Sequence, residues 1–504
     1  MLSFLSPLPT LPAYSGPESV GTVEYEIPLS SLGFESIPKD LPASTVKFRI
    51  FYPAKLKDDA VCGVPWLPAP QTAHLGAYIR MARLGPWLSK ILLSIPLYLR
   101  STMMPAYASA ALQSKDIPLP VLIFSHGLVG AMNSHSALLG ELASRGVVCV
   151  AIDHRDGSGA LSLARSEGSK GSTDQATEIT SIYFKNISLK IRPGVWEARD
   201  RQFEIRLFEL MATYKALELL NKGESLVSLA GETGDMNIIP RSSLNLQPGE
   251  VIWAGHSFGG ATLIQFIKTI YHEGRLTRTK QNSDGILPEH SLLLQPAPPS
   301  LVEQIKATSP VILLDPWFMP LRSPRTKWLN AKPLPCHDGM KDQAYGQIST
   351  TVAVLSSECA WHWPQVHSHM PQILAADPQT IKTETEAETI ALFKDFVTPR
   401  HFMNESKRQN GNSVRTETEV KQSEPTATSG FVLHDTTHVT LSDFGIMFPW
   451  ITWWFTGQKK PELANWNVAR CILGAAGLED SLKDDDAGGY GRAAADAQLE
   501  QIYY

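Results

Sequence analysis

The reading of the fold turns on residues 249–270, GEVIWAGHSFGGATLIQFIKTI. The opening run VIWAG is short, apolar and without alternation, the pattern of a strand buried on both faces. The closing part sets Leu263, Phe266, Ile267 and Ile270 at helical spacing, which makes one buried face. Between them lies Gly255-His256-Ser257-Phe258-Gly259, a G-x-S-x-G pattern. Composition alone produces such a pattern in roughly one chain in six of this length. A strand entering and a helix leaving give it weight, because a strained strand–turn–helix bend is what lifts a serine hydroxyl clear of a sheet. The flanking glycines are required there because side chains would collide with the neighbouring strand and helix.

Similar runs recur on both sides: VLIFS at 121–125, VVCVAID at 147–153, LLLQ at 292–295, VILLD at 311–315 and TVAVLS at 351–356. All are read as buried strands. Helical patterns separate them. Residues 133–145 end at Gly146, and residues 198–223 carry Phe203, Leu207, Leu210, Tyr214 and Leu217 on one face before Gly223. Strands alternating with helices predict an α/β fold with a mostly parallel central sheet flanked by helices. Earlier segments, 20–27 and 45–52, favour β-branched and aromatic residues and read as antiparallel strands. The expected organisation is an N-terminal extension over 1–19 and one catalytic domain over 20–474. Residues 404–430 lack large apolar residues and are expected to be a disordered insertion. The acidic, small-residue-rich tail, 475–504, is expected to be mobile.

The 504 residues carry 45 Lys+Arg against 50 Asp+Glu, a net charge of −5, and 43% are hydrophobic. That is enough apolar material for a large core, and without a basic run nucleic acid is not an expected partner. Five scattered cysteines (62, 149, 336, 359, 471) with no CxxC pair argue against a disulfide framework and a thiolate zinc site. The N-terminal MLSFLSPLPTLPAYSGPE lacks a basic region ahead of its proline-interrupted apolar run, unlike a secretory signal. The apolar stretch from Ile91 to Leu99 is too short to span a bilayer. A cytoplasmic location is expected.

A serine hydroxyl is a weak nucleophile and needs a base oriented by an acid. Downstream of Ser257, Asp315 closes the run VILLD, at a strand's C-terminal end where the sites of such sheets collect. Glu358, after the next run, is the rival acid. For the base, the late histidines are His434 and His438 in VLHDTTHVTLSDF. An oxyanion would need two backbone N–H donors: Leu128, after the turn His126-Gly127, and Phe258, the residue after the serine. Trp317, Phe318 and Met319 follow the candidate acid, and Trp317 and Phe318 are the expected substrate-binding residues.

Other groupings read more weakly. His362, His367 and His369 match no zinc spacing and are interrupted by Pro364, so a polar loop is favoured over a metal site. Asp153-His154-Arg155-Asp156 reads as a structural network beneath the oxyanion loop. The stretch WLSKILLSIPLYLRSTMMPAYA at 87–108 reads as a cap or core helix, or else as a surface resting on lipid with Lys90 and Arg100 snorkelling.

The segments SHGLVG, VVCVAIDHRDGSG, GHSFGG, LLDPWFMP and TTHVTLSDF, preceded by VPWLPAP, resemble in order the signature segments of the platelet-activating-factor acetylhydrolases of the plasma and type-two intracellular kind. The resemblance spans most of residues 20–455. It implies an α/β-hydrolase fold and calcium-independent hydrolysis of short or oxidised sn-2 acyl chains from phospholipids, without metal or cofactor. It assigns Ser257 as nucleophile, Asp315 as acid, His438 as base and the Leu128 and Phe258 amides as oxyanion donors. The expected partners are a phospholipid substrate and a lipid surface. Two rival readings are a general carboxylesterase acting on small esters and a non-catalytic lipid-binding protein that keeps the hydrolase shell.

Overall fold

The computed structural model describes residues 10–81, 99–166, 178–230, 238–279, 290–338, 351–361, 370–381, 428–449, 453, 461–478, 496 and 498–502. In chain order the strands are β1 (Val20–Pro28), β2 (Thr45–Lys55), β3 (Cys62–Pro65), β4 (Met103–Ala108), β5 (Ala111–Leu112), β6 (Leu119–Ser125), β7 (Val148–Ile152), β8 (Leu161–Ser166), β9 (Glu178–Tyr183), β10 (Leu244–Asn245), β11 (Ile252–His256), β12 (Val311–Leu314), β13 (Val352–Ser357), β14 (Thr428–Leu433) and β15 (Leu499–Ile502). The helices that matter for the site are α1 (Gln71–Met81), α2 (Ser136–Ala143), α3 (Val195–Asn221), α4 (Phe258–Thr279) and α5 (Pro461–Ala475).

One sheet runs in the order β15-β14-β13-β12-β11-β6-β7-β2-β1-β4-β3. From β14 to β7 every pairing is parallel, whereas β1 and β2 are antiparallel, as are β2 and β7. The fold is an α/β-hydrolase: a mostly parallel sheet flanked by helices.

The reason the strands read as unbroken apolar runs is visible along β6. Val121 and Ile123 join the core cluster that holds α3 and α4, while Leu122 and Phe124 join the cluster on the other face with α2 and α5. The same division holds for Trp253 against Ile252 and Ala254, and for Val311 and Leu313 against Ile312 and Leu314. Each such side chain contributes roughly 1.5–3 kcal/mol by leaving water on both faces of one sheet. The helical faces read from the sequence are buried too, from Phe203 to Leu217 on α3 and from Leu263 to Ile270 on α4.

Some expectations need correction. LLLQ at 292–295 is not a strand. Leu292 and Leu293 are buried in the α3–α4 cluster without pairing in the sheet, and a run this short fits either role. Thr428, Ser429 and Gly430, placed by the sequence reading in the insertion, begin β14; residues 404–427 lie outside the described residues. Leu499–Ile502, placed in a mobile tail, forms β15 and pairs antiparallel with the edge strand β14. An exposed edge is a template for one more strand, which composition does not reveal. The histidines 362, 367 and 369 and the stretch 87–98 also lie outside the described residues. All five cysteines are free. Among the described residues no helix is long and apolar enough to cross a membrane.

Candidate active site

Four loops at the C-terminal end of the parallel strands converge. Ser257 sits between β11 and α4 with φ of +56°, the left-handed region that a non-glycine residue enters only under constraint. The bend is held by Ser257 N–H donating to Leu314 O at 2.8 Å and Trp317 N–H donating to Ser257 O at 3.0 Å. Gly259 has no room for a side chain: a Cβ would lie 1.9 Å from Ser125 O. A Cβ on Gly127 would lie 2.9 Å from Ser257 Cβ and 3.1 Å from His256 O, so this turn packs against the 256–257 bend at a glycine.

His438 Nε2 lies 2.9 Å from Ser257 Oγ, and His438 Nδ1 lies 3.1 Å from Asp315 Oδ2. The Asp315 side chain is fully buried, while His438 keeps 31% of its side chain exposed. Asp315 also accepts the Ser357 N–H at 2.7 Å and its hydroxyl at 2.6 Å. These bonds hold the carboxylate against the imidazole and leave His438 Nε2 facing the Ser257 hydroxyl. Three residues far apart in the chain, Ser257, Asp315 and His438, are thus brought together.

The rivals stand elsewhere. Glu358 accepts the Asp435 N–H at 2.7 Å, and His434 Nε2 lies 2.7 Å from Glu500 Oε2. The carboxylates of Glu358 and Glu500 hold the His434 imidazole above its ordinary range.

Phe258 is the first residue of α4, so its N–H has no partner in its own helix. Among the described residues neither the Phe258 nor the Leu128 N–H is engaged in a hydrogen bond, the state expected of a waiting oxyanion hole. Trp317 is partly buried, its ring 5.8 Å from that of Phe258 and edge-on to it. Phe318, 2% exposed, lies in the core cluster.

The Asp153–Asp156 segment forms a network beneath the His126-Gly127 turn. His154 Nε2 lies 2.8 Å from Ser125 Oγ and its Nδ1 2.7 Å from Glu209 Oε2. His126 Nε2 accepts the His154 N–H at 3.2 Å, so its Nδ1 donates to Gly127 O at 2.8 Å. Burial, with the charge of Arg206 second, lowers the His126 pKa to about 4, so this imidazole is neutral.

The sequence reading missed several residues that complete the site. Arg206 on α3, fully buried, donates to Asp156 Oδ2 at 2.7 Å and to His126 O at 2.9 Å. Its guanidinium also lies 4.5 Å from the centroid of the Phe258 ring, so one side chain spans both segments that carry the candidate oxyanion donors. Asp443 accepts the Trp66 indole N–H at 2.8 Å and the Ser136 and Ala137 N–H groups at 2.9 and 3.0 Å. It therefore ties the segment that carries His438 to the start of α2. The His256 ring is 4.6 Å from that of His438. His256, Asp315 and His438 offer possible metal-ligand atoms within 4.8 Å of one another. Both His438 nitrogens already lie within hydrogen-bond distance of Asp315 and Ser257.

Residues 5–333 match the family model described as "Platelet-activating factor acetylhydrolase, isoform II". The chain belongs to that family. Relatives include a protein of Schizosaccharomyces pombe named "Putative phospholipase A2". It is 30% identical over 50% of this chain and 58% of its own length. The platelet-activating factor acetylhydrolase of Gallus gallus is 26% identical over 51% of this chain and 56% of its own, and that of Cavia porcellus 28% over 48% and 55%. The chain thus spans a little over half the length of these relatives. A ferulic acid esterase from Streptomyces cinnamoneus aligns over 98% of this chain and 99% of its own at 14% identity and a TM-score of 0.44.

Proposed function

We propose that this chain is a serine esterase that cleaves the sn-2 acetyl or short acyl ester of platelet-activating-factor-like phospholipids, giving lysophospholipid and acetate. The observation that carries the reading is the unbroken hydrogen-bonded chain from Ser257 Oγ through His438 to the buried Asp315. The names of the relatives point to the same substrate class.

In this reading Ser257 Oγ attacks the ester carbonyl carbon while its proton passes to His438 Nε2. Negative charge collects on the carbonyl oxygen, where the Leu128 and Phe258 N–H groups receive it. Each such donor contributes about 3–4 kcal/mol to the transition state. His438 returns the proton to the departing lysophospholipid oxygen, leaving acetyl-serine. Water, deprotonated by the same imidazole, then releases acetate. Asp315, fixed by Ser357, keeps the tautomer and stabilises the imidazolium between these steps. No step calls on a cofactor. We assign the acyl side of the pocket to Trp317, which follows the acid; Phe318, in the core, packs behind this segment.

The test is the specificity constant on an alkyl-acetyl-glycerophosphocholine against that on p-nitrophenyl acetate. A clear preference for the phospholipid is expected. A preference for the small ester would make the chain a general carboxylesterase, and stoichiometric lipid binding without turnover would make it a carrier.

A further inference from the structure

An open surface cavity of about 280 Å³, with Arg80, Tyr183 and Asn186 exposed along it, lies between the end of α1 and the β8–β9 hairpin, and the steps above do not use it. Arg80, Ala160, Tyr183, Phe184 and Asn186 are among the residues that line it. Its wall adjoins the oxyanion loop. Val129, next to Leu128, forms a parallel bridge with Gly159, and its N–H donates to Ser158 O at 2.7 Å. Ala160 packs in one small cluster with Ala77, Leu161 and Leu163, against which Val129 rests. Two residue steps and one strand spacing put this wall no more than about 12 Å from the Leu128 amide.

The cavity holds a cation. The Arg80 guanidinium lies 5.0 Å from the centroid of the Tyr183 ring, and among the described residues no carboxylate pairs with it. Asn186 adds a polar amide side chain to the lining, and Ala77, Met81, Ala160 and Phe184 are apolar. A planar donor fork with an amide beside it suits a phosphate oxygen pair better than an uncharged ester. In a glycerophospholipid the phosphodiester sits a few bonds from the sn-2 carbonyl, so a lipid whose carbonyl oxygen meets Leu128 and Phe258 carries its phosphate toward this wall.

We propose that this cavity is the phosphodiester subsite for a glycerophospholipid, with Arg80 as the charged anchor and Tyr183 holding its guanidinium. The assignment deepens the esterase reading and rests on it. In the full chain, Arg80→Gln is expected to lower kcat/KM on an alkyl-acetyl-glycerophosphocholine at least tenfold, mainly through KM. Hydrolysis of p-nitrophenyl acetate should stay within twofold, and Arg80→Lys should recover part of the loss. Glycerophosphocholine should inhibit p-nitrophenyl acetate hydrolysis competitively in the unmodified chain and not in Arg80→Gln. An equal fall on both esters, or no fall on the phospholipid, overturns the subsite; so does inhibition by inorganic phosphate as strong as that by glycerophosphocholine. Should the chain cleave neither ester, the esterase reading fails. Calorimetric titration of glycerophosphocholine then decides the subsite alone: binding lost in Arg80→Gln supports it, and no binding to either form overturns it.

Discussion

Ser357 gives the carboxylate of Asp315 two hydrogen bonds, its N–H at 2.7 Å and its hydroxyl at 2.6 Å, and the hydroxyl shares Oδ2 with His438. The acid is thus aimed by the residue that ends the neighbouring strand β13. A hydrogen bond to a charged group is worth about 1.5–3 kcal/mol. Ser357→Ala should therefore lower kcat by roughly 10- to 100-fold, with KM little changed, since the misaligned group acts in the transition state. Steady-state kinetics on a phospholipid ester checks this.

How much of this was legible in the sequence depends on the range of each signal. Ser257 announced itself because its constraints are local: the strand before, the helix after and the glycines forced by Ser125 and the bend. Asp315 was legible as the end of a strand and His438 as a late histidine in the right order, yet Glu358 and His434 satisfied the same rules. What separates them is distance in space, with Glu358 turned to Asp435 and His434 to Glu500. Arg206 and Glu209 read only as polar positions on α3, because their partners lie some fifty residues or more away. β15 was hidden because its composition resembles a tail, and an edge strand is specified by its neighbour. The LLLQ run shows the reverse error, since burial alone does not make a strand.

Arg206 bridges the two segments proposed to bind the oxyanion, bonding the His126 carbonyl while its guanidinium lies near the Phe258 ring. Arg206→Lys keeps the charge opposite Asp156 but loses the planar fork. It should fold and lose at least about tenfold in kcat at nearly constant KM, the loss of part of one oxyanion interaction. Arg206→Ala strands a buried carboxylate, at a cost of about 3–5 kcal/mol, and should lower the melting temperature sharply. Kinetics together with thermal unfolding separates the two effects.

Glu209 supplies the pH-dependent prediction. Burial first, then the charge of Asp156, pushes its carboxyl up to about 8, against the opposing bond from the Arg155 N–H. Burial likewise holds its partner His154 well below the ordinary imidazole range, so the pair is neutral near pH 7. A carboxyl whose folded pKa is raised contributes stability that is complete below its unfolded value and is lost as pH rises through the folded one. The chain should therefore lose stability relative to Glu209→Gln between about pH 4.5 and 8, the ordinary and raised values. Melting temperatures of the two forms across that window provide the check; curves that run parallel would show that Glu209 is ionised in the folded chain.

The central claim is that Ser257 is the nucleophile of a relay completed by His438 and Asp315. The most direct measurement is labelling of the full chain with a fluorophosphonate, followed by mass spectrometry of its peptides, with Ser257→Ala run in parallel. The predicted result is one phosphonylated residue, Ser257, with labelling and ester cleavage both lost in Ser257→Ala. An adduct on another serine, or ester cleavage retained by Ser257→Ala, would contradict it.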